Sequence, residues 1–171
     1  MLVNLGGPPK AETLVGLLLE CHERIRRFSR LAVELSRRAD LPAGEVGDAC
    51  ARCERYFSEA LPLHVADEED SLLPRLRGHA VDAALAAMHA QHEAHRPVLV
   101  ELLTALRQLR EAPSSAPCRA RLGAVAQRAV TDFEQHLTLE EQVLFPVVAA
   151  LPAEAQAQVV AELRARRRPG A

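Results

Sequence analysis

His64-Val-Ala-Asp-Glu68-Glu69-Asp-Ser-Leu72-Leu73-Pro74 recurs 72 residues further on as His136-Leu-Thr-Leu-Glu140-Glu141-Gln-Val-Leu144-Phe145-Pro146. Each phrase places a glutamate four residues after a histidine. On an α-helix that spacing stacks the two side chains on one face, one turn apart, so each phrase offers an imidazole and a carboxylate to the same point in space. Two such helices facing each other form a metal site.

A looser repeat surrounds this one. His22-Glu23 precedes His64 by 42 residues, and His92-Glu93 precedes His136 by 44. Each half of the chain thus supplies one helix with a lone histidine and one with His-x3-Glu, the pattern of an internally duplicated bundle. The candidate metal ligands are His22, His64, Glu68, His92, His136 and Glu140.

The length of 171 residues suits one domain, and 49 % apolar residues suffice for one core. Aromatic residues make up only 3 %, whereas alanine, leucine, arginine and glutamate abound, which favours helix over strand. The net charge of −2, with both signs mixed, gives no long-range field for nucleic acid or an anionic membrane. Only Arg164 to Arg168 is locally basic, and it reads as a solvated, fraying end. Met1 to Lys10 has neither a basic start nor a sustained apolar run, so no signal peptide or transmembrane helix is expected and the cytoplasm is the expected compartment. There Cys21, Cys50, Cys53 and Cys118 would remain thiols.

Apolar periodicity and Pro/Gly punctuation predict an all-α, up-down-up-down four-helix bundle over 11–151, with a short fifth helix and basic tail over 152–171. The expected helices run from about Ala11 to Ala39, Glu45 to Arg77, Ala80 to Glu111, Cys118 to Ala149 and Ala153 to Arg167. Pro62 should kink the second, Pro74 should begin its end, and Pro97 should bend the third.

Glu68 lies seven residues after Leu61 and four before Leu72, and Glu140 lies seven after Phe133 and four before Leu144, so both carboxylates point into the expected core. An unpaired carboxylate there costs on the order of several kcal/mol. No lysine or arginine shares these stripes, and burial disfavours imidazolium, which leaves divalent or trivalent cations as the compensating charge. Imidazole and carboxylate donors together suit iron, manganese or zinc better than calcium or magnesium. One core-facing histidine is ordinarily a hydrogen-bonded packing residue. Four of them, two with glutamate at the same offset and the same downstream Leu and Pro positions, are not explained by packing.

These residues, from Glu20-Cys-His22-Glu-Arg-Ile25 to Pro146, resemble the hemerythrin-like (HHE cation-binding) family. Its pattern is a lone histidine on the first and third helices, and His-x3-Glu with an apolar-Pro ending on the second and fourth. The resemblance implies a four-helix bundle around two non-haem iron ions, bridged by two carboxylates and an oxo or hydroxo group, that binds or senses oxygen, nitric oxide or iron. It implies His22 and His64 on one iron, His92 and His136 on the other, and Glu68 and Glu140 as bridges. Oxygen-carrying members instead have two histidines four apart on the third helix and an aspartate five after the last histidine. This chain has His89, His92 and His95 three apart and Glu140 four after His136, so His95 or His89 is a candidate seventh ligand or supporting residue. Other members carry a cysteine-rich segment or signalling domains; with 21 residues ahead of His22, neither is expected.

The remaining signals are weaker. Cys50-Ala-Arg-Cys53 has no second pair to complete a zinc site, and Cys21 reads as buried filler beside the centre. His79 reads as a surface residue, and Asp67, Glu69 and Glu141 as groups that orient imidazoles or remain solvated. The expected function is binding or sensing of O2, NO, peroxide or iron, the alternatives being a di-iron oxidase or peroxidase and a structural metal bundle.

Overall fold

The computed structural model describes residues 13–168, and among these the chain is helical with no strand. Helix α1 spans Leu14–Arg37, α2 runs over 43–76, α3 spans Asp82–Glu111, α4 Ala116–Ala150 and α5 Ala153–Arg166. Ala11 and Glu12, in the expected start of α1, lie outside the described residues, as does the very end of the tail. The observed α1 starts where Thr13 Oγ1 accepts the Gly16 backbone N–H at 3.0 Å. Ser115 caps α4 in the same way by accepting from Cys118 N. Helix α3 begins at Asp82 rather than near Ala80, because Gly78 and Ala80 both adopt positive φ, 81° and 61°, to turn the chain between α2 and α3.

Helix α1 packs on α2 and α4, and α3 packs on the same two, which closes the four long helices into a ring. Helices α1 and α4 approach closely at Gly123. A Cβ at Gly123 would lie 2.9 Å from Ser36 Oγ, a hydroxyl already donating to Val33 O at 2.6 Å. We expect Gly123→Leu to force these helices apart and destabilise the protein by about 1–3 kcal/mol; an unchanged urea midpoint would contradict this contact.

Helix α2 widens into π-helical turns over Tyr56–Ala60, ahead of Pro62, and over Asp67–Leu72, ahead of Pro74, and with Pro74 in its last turn it ends at Leu76, close to the expected end. Helix α4 does the same over Glu140–Leu144 ahead of Pro146. Proline has no N–H to donate and crowds the carbonyl four residues back, and a wider turn relieves both problems. Thus Leu73 N and Phe145 N donate five residues back, to Glu68 O and Glu140 O. Helix α3 continues through Pro97 without a break.

The buried apolar side chains form two separate clusters. One, including Phe57, Leu102, Leu106, Leu122 and Phe133, fills one end of the bundle. The other, including Leu18, Leu76, Met88 and Phe145, fills the opposite end, where Val159 and Leu163 of α5 close it. The buried His22, His64, Glu68, His92, His136 and Glu140 belong to neither cluster.

The basic tail is docked, not frayed, over the described residues. Asp67, fully buried, accepts from Arg166 Nη1 at 2.9 Å and from Arg167 Nη2. Burying an aspartate requires such partners, and two guanidinium groups from α5 supply them. No single described helix is long and apolar enough to cross a membrane.

Candidate metal centre

The α-helical spacing that stacks His64 over Glu68 and His136 over Glu140 gives Nε2 to carboxylate distances of 2.9 Å and 3.4 Å. The lone histidines of α1 and α3 approach the same carboxylates from across the bundle. His22 Nε2 lies 3.1 Å from Glu140 Oε2 and 4.0 Å from Glu68 Oε1, and His92 Nε2 lies 3.1 Å from Glu68 Oε2. Nε2 of His92 and Nε2 of His136 are 3.2 Å apart. The six side chains make two overlapping four-ligand sets, His22, His64, Glu68, Glu140 and Glu68, His92, His136, Glu140, each with donor atoms within 4.8 Å of one another. Both carboxylates belong to both sets.

Both oxygens of Glu68 and of Glu140, and Nε2 of His22 and of His64, are buried without a hydrogen-bond partner. Buried polar atoms are ordinarily satisfied, and six converging orphans from four residues are the signature of a cation-binding cage. The donor chemistry fits: imidazole nitrogen and carboxylate oxygen together suit first-row transition metals and zinc.

A ring of supports surrounds the ligands. His22 Nδ1 donates to Glu141 Oε1 at 2.8 Å, His92 Nδ1 to Glu69 Oε1 at 2.8 Å, and His136 Nδ1 to Gln91 Oε1 at 3.0 Å. Cys21 lies beside His64, whose Nδ1 is buried without a hydrogen-bond partner. Each of the three supports neighbours a ligand on its own helix and serves the ligand of the next: α2 steadies α3, α3 steadies α4, and α4 steadies α1. Fixing the proton on Nδ1 leaves the Nε2 lone pair turned inward for a cation. Arg26 holds Glu141 in turn, Nη1 to Oε1 at 2.8 Å. We expect Glu141→Ala to weaken metal affinity about 10–100-fold with the fold intact, as read by competition against a chromophoric chelator. Unchanged affinity would deny Glu141 this role.

Charge in the metal-free cage is shared unevenly. Burial pulls the His22 pKa down, but the adjacent Glu140 and Glu68 carboxylates outweigh it and raise the value to about 9. His64 is raised well above its ordinary value against the same burial, chiefly by the charge of Glu68. At His136 burial outweighs the charge of Glu68 and lowers the value to about 3. Burial, then the charge of Glu68, raises Glu140 to about 7. Burial disfavours imidazolium, but at His22 and His64 a carboxylate at contact distance overcomes desolvation. A cation must displace those protons. Metal uptake should release protons into a weakly buffered solution, and apparent affinity should fall as pH drops below about 9; uptake without proton release would contradict this protonation pattern.

The other sequence candidates fall outside the ligand sets. His95 is buried but meets the rings of Phe133 and His136 edge-on, with centroids 5.1 Å and 5.3 Å away. His89 is exposed and shares Glu69 with His92. His79 is exposed. Asp67 orients no imidazole, being engaged by Arg166 and Arg167. Cys50 and Cys53 are buried in the apolar cluster, and burial raises their thiols to about 11 and about 12, which removes thiolate chemistry at neutral pH.

A model of the hemerythrin HHE cation binding domain matches residues 13–148 and, in a second match, 98–168. The chain belongs to that family. No curated protein matches it closely enough to count as a relative. As a hemerythrin HHE domain it is a metal-binding helical bundle, and its His/Glu clusters could hold the cation. Sequence reasoning missed Gln91 as the support of His136 and Cys21 as the neighbour of His64. The available signal was position, since both stand immediately before a ligand, at His92 and His22.

Proposed function

We propose that this hemerythrin HHE domain holds two iron ions, His22 and His64 on one, His92 and His136 on the other, with Glu68 and Glu140 shared, and that it binds or senses a small oxidant or gas: O2, NO or peroxide. The observation that carries this reading is the sharing of both carboxylates by two four-ligand sets. Six side chains divided between two ions leave coordination positions open, and an iron pair supplies electron exchange with small molecules there. The protein's part is to orient His22, His92 and His136 through their Nδ1 atoms, to keep the carboxylates out of water, and to set the net charge around the ions. Manganese and zinc satisfy the same donors, and metal supply in the cell decides among them. The four thiols stay reduced in the cytoplasm, the compartment we assign.

Metal analysis and an optical spectrum of freshly purified protein test the metal. Stopped-flow mixing of the iron-loaded, reduced protein with O2 or NO tests the use. A reversible spectral change supports binding or sensing, and absence of iron or of any response overturns it. A di-iron oxidase is the second reading, favoured by an apolar cavity against three of the ligands; steady turnover of an added donor would select it.

A further inference from the structure

The centre has a neighbour that ligation does not require. A cavity of about 250 Å³ opens between α2 and α3, with Pro62 and Arg96 at its mouth, and runs inward to Ile25 and Leu137 of the far helices. Its inner wall includes the rings of His64, His92 and His136. The rest is Leu61, Val65, Leu99 and Phe133, with His95 lying edge-on to Phe133 at 5.1 Å.

Size and lining identify the occupant. A small gas needs little more room than a water molecule, about 30 Å³, whereas an apolar protein cavity of about 150 Å³ takes up benzene and stays dry without it. The volume here holds one ring with a small substituent. The lining leaves a charged ligand no free counter-ion: His64 Nε2 already faces Glu68 Oε1 at 2.9 Å, and Arg96, 69 % exposed, pairs with Glu93 at 2.9 Å. An aromatic ring would bury apolar surface on every side and meet Phe133 and His95 in edge-to-face geometry.

We propose that this cavity is a binding site for an uncharged single-ring aromatic molecule, of the size of phenol or toluene, seated against the His64, His92 and His136 face of the metal centre. The proposal rests on the cavity alone and does not depend on which metal the centre holds. Saturation-transfer NMR on the full chain with phenol, toluene and benzoate tests it, in chelator-treated and zinc-loaded protein. Phenol or toluene should give transfer, with contacts to the Phe133 ring, and benzoate should give at least tenfold less. Leu99→Trp, which fills the mouth, should abolish the signal, and Val65→Phe should weaken it if the first variant fails to fold. No transfer from either neutral probe to the wild-type protein overturns the proposal, as does equal binding by a folded Leu99→Trp variant. Transfer in a protein that takes up no metal would keep this site and remove the metal reading, so the two fail separately.

Discussion

Glu68→Ala and Glu140→Ala should each empty the centre of both ions, whereas His22→Ala or His64→Ala should leave the second set occupied. The asymmetry follows from the geometry. Each carboxylate belongs to both four-ligand sets, and each histidine belongs to one. Removing Glu68 takes an oxygen from His64 at 2.9 Å and another from His92 at 3.1 Å, so both sets fall to three ligands at once and lose a shared negative charge. His79→Ala, on the exposed link between α2 and α3, serves as the control and should retain full metal. Metal per chain after dialysis, measured beside circular dichroism, reads the result. Equal loss in the histidine and glutamate variants would show that the ions are not shared as described.

Glu140 should act in the opposite direction without metal. Glu140 is raised to about 7 by burial and by the charge of Glu68. Its folded value lies above its unfolded value of 4.5, so its favourable contribution is complete below 4.5 and is lost as pH rises through about 7. Glu140→Gln removes that pH-dependent loss. It should therefore raise the melting temperature of the chelator-treated protein at pH 8 while lowering that of the metal-loaded protein. Two buried like charges are a cost that a bound cation turns into a gain.

The second large effect lies outside the centre. Replacing Arg166 and Arg167 together by alanine should destabilise the protein by about 3–5 kcal/mol, because it strands the Asp67 carboxylate in a fully buried position. Asp67→Ala should cost clearly less. The arginines are 23 % and 34 % exposed and can turn to water once their partner is gone. Urea melts of the three variants give the comparison. If the arginine double variant and Asp67→Ala cost the same, the carboxylate is not confined as the structure shows. Asp67 lies within the His64 to Glu68 turn, so the arginine variant should also loosen metal binding at the His22 and His64 set.

The helices and the six-residue cluster were legible in sequence because each is a local, periodic signal. Four histidines and two glutamates recur at fixed offsets on apolar stripes, and the structure brings all six together. The shared sets, by contrast, depend on how four helices meet. So do the partners of the tail: nothing local in Arg166 or Arg167 says that a buried aspartate about a hundred residues away awaits them. Arg119 is a similar case, buried to donate to the carbonyls of Leu35, Arg38 and Pro113, and so tying the start of α4 to the end of α1 and to the α3–α4 connection. That Pro62 and Pro74 disturb α2 was legible, but the form of the disturbance, a turn widened by one residue ahead of each proline, depends on how the helix is packed.

The ring of supports has a consequence for the duplicated halves. Glu69 from the first half serves His92 of the second, Glu141 from the second serves His22 of the first, and each four-ligand set draws one carboxylate from each half. Neither half is self-sufficient. Expressed alone, each should remain an unmetallated fragment until it meets its complement, and any ancestral single-repeat protein would have had to work as a pair of identical chains.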